Sequence, residues 1–211
     1  MKKLFSTLLG VGILIGFSSN TDAATDITSS FSQTTLENAA VIAYYAYNEK
    51  EYGSTYPLGT GEFFAEKVRS GGDWDYKRTY LGSFTFDGKT VDGEYLGNMH
   101  YGYTGRAAGF SSALLRTAAG AYQIYSGTSY LGWYKSYFDD PDDQEAINDG
   151  ISYWNLNTLP ISSFSQTNTY TIMNEGENPL FDHLTEEKKD EIESQVEEDV
   201  EELEENNHEQ R

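Results

Sequence analysis

The chain has 211 residues, no cysteine and a formal net charge of -20. The lack of cysteine excludes a disulfide scaffold, a thiol nucleophile and a zinc site built on thiolates. The negative charge counts against a nucleic-acid binder, because attraction to phosphate normally supplies most of the affinity of such proteins, so a nuclease would need a basic cleft inside an acidic shell.

Residues 1–23 have the pattern of a secretory signal peptide. A positively charged amino terminus (Met1–Lys3) precedes a largely apolar run over residues 4–17. The small residues that follow predict cleavage by signal peptidase after Ala23 or Ala24. A membrane anchor is the alternative, but about 14 apolar residues are fewer than the roughly 20 that span a bilayer. We therefore expect a secreted protein, extracellular or associated with the cell wall, with no stable membrane insertion after cleavage.

Two helices are predicted after a polar lead over residues 25–33. The run Thr34-Thr35-Leu36-Glu37 is typical of a capping box that opens a helix, with an apolar face that includes Leu36, Ala40 and Ala43. A loop rich in glycine follows, and residues 62–69 indicate a short second helix.

A hairpin and a central helix are predicted next. Residues 76–95 are β-branched and aromatic around Asp87-Gly88, a favoured two-residue turn, which predicts a single hairpin. Residues 106–125 place Phe110, Leu114 and other apolar side chains on one helical face, which predicts the central buried helix.

The last part of the chain is predicted to be helical and acidic. Asp140 before Pro141 indicates an N-cap and a helix that runs to about Trp154, and a strand is expected near residues 170–173. The tail over residues 182–211 has 14 acidic and 3 basic residues and a narrow apolar stripe, so we expect a solvated or frayed helix. The tail either aids solubility or covers a basic cleft until it is removed.

The predicted fold class is therefore mainly α. We expect one domain over residues 24–181, with a central buried helix and a small β-hairpin, followed by the acidic helical tail.

Several side chains suggest chemistry, each with a structural alternative. Asp75 and Lys77 lie close enough in sequence to form an acid/base pair, or simply an ion pair on a surface turn. The glycine-rich stretch over residues 97–106 would join the hairpin to the central helix, and its amides with Arg106 suit an anion, or form only a structural junction.

Three further candidates are a histidine, a pair of carboxylates and an amide. His100 is the one histidine before the tail region, and it is either a general base or a packed side chain. Asp140 and Asp143 suit glycosidic cleavage, the binding of a divalent cation or only a helix cap. Gln123 is a substrate contact or a satisfied core amide. No Gly-x-Ser-x-Gly elbow occurs, which argues against a serine hydrolase.

Four motifs occur in a fixed order and together resemble the bacterial polymorphic toxin type 44 domain over roughly residues 71–154. They are Trp74-Asp75-Tyr76-Lys77, Gly97-Asn98-x-x-Tyr101-Gly102-x-x-Gly105, Ala118-Ala119-Gly120-x-x-Gln123 and Asp139-Asp140-Pro141-x-Asp143-Gln144-x-x-Ile147-x-x-Gly150.

The resemblance implies a mostly helical toxin that acts on competing bacteria and that is a predicted ribonuclease. The site positions that it implies are Asp75, Lys77, Asn98, Tyr101, Gln123, Asp140 and Asp143.

Three functions follow. The first is RNA cleavage, in which Lys77 and Arg106 would bind the phosphate and His100 or Asp75 would act as the general base. The second is peptidoglycan cleavage by two carboxylates from Asp75, Asp140 and Asp143, and the third is a non-enzymatic binding module. RNA or peptidoglycan is the expected substrate and an immunity protein the expected partner, with no cofactor and no metal.

Overall fold

A computed structural model describes residues 24–53, 55–126, 140–160 and 178–209. The predicted signal peptide and the strand expected near residues 170–173 lie outside the described residues. The described elements are β1 (Thr25–Asp26), α1 (Thr28–Tyr52), α2 (Leu58–Val68), α3 (Tyr76–Thr79), β2 (Phe84–Phe86), β3 (Lys89–Val91), α4 (Gly93–Ala107), α5 (Ser112–Ser126), α6 (Pro141–Leu156), a 3-10 turn (Pro179–His183) and α7 (Glu186–Glu209). The prediction of a mainly helical domain with a small sheet is confirmed.

The hairpin around Asp87-Gly88 is confirmed, but it is shorter than predicted, because residues 76–79 form α3 and α4 begins at Gly93. A third short strand joins it. β2 and β3 pair antiparallel, and Asp87 and Gly88 both have positive φ angles (50° and 74°), as a tight hairpin turn of this kind requires. The polar lead was expected to be irregular, but β1 pairs parallel with β2, with Thr25 opposite Phe84. The sheet order is β1-β2-β3.

Helix α1 begins earlier than the capping box predicted. It starts at Thr28, where the backbone N–H donates to Asp26 Oδ1 at 2.9 Å. Phe31 and Ser32 are fully buried, so packing extends the helix toward the sheet. The Thr35 hydroxyl donates to the carbonyl oxygen of Phe31 at 2.8 Å, a bond within the helix that replaces the expected cap.

Helix α2 also begins before its predicted start, at Leu58. The carboxylate of Glu49 accepts the backbone N–H groups of Gly59 at 2.9 Å and Thr60 at 2.7 Å. These are unpaired donors of a first helical turn, and the negative charge suits the positive end of the helix dipole. A carboxylate from α1 thus fixes where α2 starts.

The central buried helix is α4, whereas residues 106–125, which were predicted for this position, contain the end of α4 and most of α5. α4 covers the glycine-rich stretch that was expected to be a junction, and its Leu96, Met99 and His100 have no exposed surface. The chain then breaks at Gly109, which has a φ angle of 90°, and α5 begins at Ser112. Leu114 of α5 is 51% exposed, so α5 lies at the surface there.

Helices α4 and α6 cross with their backbones in contact. A Cβ atom added to Gly102 would collide with the carbonyl oxygen of Ile147, and one added to Gly150 would collide with that of Met99. α6 starts as predicted, because Asp140 Oδ1 accepts the N–H of Asp142 at 2.9 Å. The crossing therefore brings the first turn of α6 beside α4.

The acidic tail forms the predicted helix, but it is not solvated on all sides. Ile192, Val196 and Val200 of α7 are buried, and α7 packs against α1 and α2. The hydroxyl groups of Tyr44 and Tyr45 donate to carboxylates of α7. The expectation of a frayed tail is wrong for this helix, which contributes to the core. None of the described helices is both long and apolar enough to cross a membrane.

Candidate functional site

One side of α4 is only partly covered by the neighbouring helices. At 3.6 residues per turn, Glu94, Gly97, Asn98 and Tyr101 fall within a sector of about 100°. None of these four residues is buried. We call this set the α4 face.

Helix α3 borders the α4 face on one side and supplies a cation. A Cβ atom added to Gly93 would lie 2.7 Å from the carbonyl oxygen of Tyr76, so α3 and the start of α4 are in close contact. This contact places Lys77 beside Glu94, and the two side chains form an ion pair. They are 65% and 46% exposed, so the pair is open to solvent.

Lys77 stands among carboxylates and remains protonated. The hydrogen bond to Glu94 raises the pKa of Lys77 above its ordinary value, and the charges of Asp143 and Asp75 raise it further. Lys77 can therefore stabilise a developing negative charge, whereas a free amine at this position is disfavoured.

Helix α6 borders the α4 face on its other side. Asn98 Nδ2 donates to Asp143 Oδ1 at 2.7 Å, which joins α4 to the first turn of α6. Because Asn98 lies one helical turn beyond Glu94, the Asn98–Asp143 pair is next to the Lys77–Glu94 pair. Two sequence motifs thus meet at this site.

Tyr101 ends the α4 face. Its ring stacks on Phe64 with a centroid distance of 5.4 Å, and its hydroxyl donates to the carbonyl oxygen of Leu115 at 3.0 Å. Helices α2 and α5 therefore fix the orientation of this side chain.

Asp75 and Asp140 shape the borders of the site. Asp75 Oδ2 accepts the N–H of Gly71 at 2.7 Å and lies 3.1 Å from Arg78 Nε, and the Asp75 side chain is 12% exposed. Asp140 caps α6, as described above. These contacts organise the loop before α3 and the first turn before Asp143.

The family comparison covers this part of the chain. Residues 63–156 match the model of a family described as bacterial toxin 44. This segment is a bacterial toxin 44 domain. It runs from α2 to the end of α6 and contains the α4 face, Lys77 and Asp143, whereas α1 and α7 lie outside it. No curated protein and no solved structure matches the chain.

His100 lies inside the toxin 44 domain but within its core. Its Nε2 atom is 3.0 Å from Asn38 Nδ2, and its ring packs against Trp74 and Tyr76. It has no exposed surface, and burial lowers its pKa to about 3. The structure thus places a neutral imidazole away from the α4 face.

Arg106 and Gln123 are not brought to the α4 face by any described contact. Arg106 lies about 18 Å along α4 from Glu94, and its Nε donates to Asn155 Oδ1 at 3.3 Å. Gln123 is in α5, but its side chain lies outside the described part of the structure.

The sequence analysis missed Glu94 and the special position of Gly97. Glu94 lies four residues before Asn98 and seven before Tyr101, a spacing that would have placed all three on one side of a helix had α4 been predicted. A Cβ atom at Gly97 would meet nothing within 4 Å. Glycine inside a helix costs about 0.5–1 kcal/mol relative to alanine, so its presence here has no packing explanation.

Within the described ranges, no set of three or more His, Asp or Glu side chains converges in a way that could hold a metal ion.

Proposed function

We propose that this chain is a toxin that cleaves RNA at the α4 face, with Glu94 as the general base and Lys77 as the cation beside it. The observation that carries this proposal is the solvent-exposed Lys77–Glu94 ion pair within the toxin 44 domain. RNA carries its own nucleophile, the ribose 2′-hydroxyl, so one base and one cation side by side supply the essential chemistry.

The reaction can be written with these two side chains. Glu94 takes the proton of the 2′-hydroxyl, and the 2′-oxygen forms a bond to phosphorus while the bond from phosphorus to the 5′-oxygen breaks. Lys77 stays protonated and stabilises the charge on the phosphate, and the leaving 5′-oxygen takes a proton from a water molecule. Glu94 then gives the proton that it took from the 2′-hydroxyl to solvent, which restores the ion pair with Lys77. The products are a 2′,3′-cyclic phosphate and a 5′-hydroxyl.

The other residues of the site have binding and positioning roles in this proposal. Asp143 holds the amide of Asn98, which leaves the amide oxygen free to accept a bond from a base or a sugar. Tyr101 is fixed by its stacking on Phe64 and limits the site at its far end. Asp75 acts through the loop that it organises and through its charge on Lys77.

The test is an RNA cleavage assay with the full chain and two single variants. Glu94→Gln and Lys77→Ala should each lower the rate by about 100-fold or more, the usual contribution of a general base or an electrostatic group. Lys188→Ala is the matched control, because Lys188 forms an exposed ion pair on α7, outside the toxin 44 domain. Full RNA cleavage by both site variants would refute the proposal.

Peptidoglycan cleavage is the second candidate, and the local charge favours it. Three carboxylates, those of Asp75, Glu94 and Asp143, act on the ammonium group of Lys77, and one of them, Asp75, also pairs with Arg78. A sugar polymer does not suffer the repulsion that a phosphate chain meets here, and two carboxylates are the usual apparatus of glycoside hydrolysis. Purified peptidoglycan assayed in parallel distinguishes the two. Wall cleavage that Asp143→Asn and Glu94→Gln abolish, with RNA intact, would replace the first proposal.

The third function, a non-enzymatic binding module, predicts a different outcome. A toxin of this kind would keep its effect on target cells in the Glu94→Gln and Lys77→Ala variants. Equal toxicity of the two variants and the unaltered chain, with RNA and peptidoglycan both intact, would favour this function.

We also propose that the chain is exported and that an immunity protein blocks its site. The toxin family supports a protective partner, and the sequence of residues 1–23 supports export. The amino-terminal sequence of protein recovered from the medium tests export. We expect it to start at Ala24 or Thr25, whereas a start at Met1 would contradict the predicted cleavage.

A further inference from the structure

The glycines on and against α4 differ in what surrounds them. Gly93, Gly102 and Gly150 each press against the backbone of a neighbouring element, and Gly105 presses against Leu115. A side chain at these positions would force helices apart. Gly97 has no such neighbour, because a Cβ atom there meets only open space.

Gly97 lies between the polar groups of the α4 face. It follows Glu94 by three residues and precedes Tyr101 by four, so the three are neighbours on the helix surface. Lys77 stands on the border beside Glu94, and the Asn98–Asp143 pair stands on the other border. A molecule that contacts Glu94 and Tyr101 together must pass over Gly97.

We propose that the bare Cα of Gly97 is where a single RNA strand crosses α4, with a ribose against the helix backbone. This inference rests on the proposed function and names the substrate path at the same site. The absent side chain lets the sugar approach closely, as glycine does wherever a backbone must meet a ligand. The sugar is uncharged, which suits the carboxylates nearby, and the phosphate is left to the ammonium group of Lys77.

The experiment adds a side chain at Gly97 and measures stability, binding and cleavage in the full chain. Gly97→Ala and Gly97→Leu replace the open space, and Gly61→Ala and Gly61→Leu are the matched controls. Gly61 is a glycine of α2 at which a Cβ atom also meets nothing within 4 Å. Binding is measured with a single-stranded 2′-O-methyl RNA oligonucleotide, which cannot be cut because it lacks the 2′-hydroxyl.

We expect both alanine variants to raise Tm by about 2–4 °C, since alanine favours the helix and nothing is displaced. Gly97→Leu should weaken oligonucleotide binding by about tenfold or more, while Gly61→Leu should leave it unchanged. Cleavage of unmodified RNA should fall with binding. A more stable yet less active protein is a result that a purely structural role for Gly97 does not produce.

The possible failures are distinct. In one outcome, the chain binds the oligonucleotide and Gly97→Leu weakens that binding, but RNA is not cut. This result would support the RNA path over Gly97 and refute the proposed cleavage chemistry. If RNA is cut equally well by Gly97→Leu and by the unaltered chain, the chemistry stands and the path is overturned. If the unaltered chain does not bind the oligonucleotide, the path is overturned together with the RNA substrate.

Discussion

Burial has removed His100 from the acid/base chemistry that its residue type suggested. Its folded-state pKa is about 3, whereas an unfolded chain has the ordinary value of 6.5. Between about pH 6.5 and pH 3, the imidazole therefore binds a proton in the unfolded state but not in the folded state. The pKa difference contributes nothing to stability where the imidazole is neutral in both states, and it disfavours the folded state at lower pH.

The pH dependence of stability tests this placement. As the pH falls from about 6.5 toward 3, His100 should reduce the free energy of unfolding by up to about 1.4 kcal/mol per pH unit. His100→Gln removes the titrating group, so the stability difference between this variant and the unaltered chain should shift in favour of the variant over that range. Urea unfolding at about pH 7 and about pH 4 measures it. A constant difference would show that His100 is exposed to protons in the folded state.

Four of the residues that the sequence motifs singled out lie close together in the structure. Lys77, Asn98, Tyr101 and Asp143 are found on or beside the α4 face. Glu94 was missed because its role depends on the helix that carries it. Burial also decides whether His100 can react, and neither local spacing nor residue type reports burial.

At the scale of the elements, glycine content misled the sequence analysis about α4. Four glycines between residues 93 and 105 suggested a loop, because glycine is a poor helix former. The cost of Gly93, Gly102 and Gly105 is offset by close contact with α3, α6 and α5, which no local pattern reveals. α6 was predicted well because its signals, Asp140 and Pro141, are local and lie in the first turn.

The crossing of α4 and α6 can be tested with a single methyl group. Gly102→Ala places a Cβ atom against the backbone of Ile147 and should lower the free energy of unfolding by about 1–3 kcal/mol. Gly97→Ala, on the same helix, should have the opposite sign. Urea unfolding of the two variants measures both, and a stabilised Gly102→Ala variant would contradict the close crossing.

At the scale of the whole molecule, the acidic tail is a structural part of the domain. Val196 of α7 is fully buried, and Ile192 and Val200 are nearly so. Removal of residues 182–211 would therefore expose the apolar surface of α1 and α2, so loss of folding is expected from that deletion. The sequence showed the apolar stripe of α7, but the surface that covers it lies far away in the chain.

A smaller change tests the packing of α7. Val196→Ala should lower the free energy of unfolding by about 2 kcal/mol, because a fully buried side chain is truncated. Glu198→Ala, at an exposed position of the same helix, should change it by less than about 0.5 kcal/mol. Equal effects of the two substitutions in urea unfolding would mean that α7 is not docked.

The net charge of -20 predicts an unusual salt dependence for RNA cleavage. Most nucleic-acid binders lose affinity as salt rises, because salt competes with their basic residues for phosphate. Here salt screens the repulsion between an acidic protein and RNA, so kcat/KM should rise between about 10 mM and 150 mM salt. Peptidoglycan cleavage should change little over the same range. A steep fall of RNA cleavage with salt would indicate a basic binding surface.

The docking of α7 on α1 has a consequence for how the protein is made. The whole toxin 44 domain lies between these two helices in the chain, yet both complete the core around it. During synthesis, Val200 leaves the ribosome only after the toxin 44 domain has been translated. The nascent chain therefore carries the toxin 44 domain for some time before its fold can close. A producing cell thus has an interval in which the protein can be moved or captured before it is assembled.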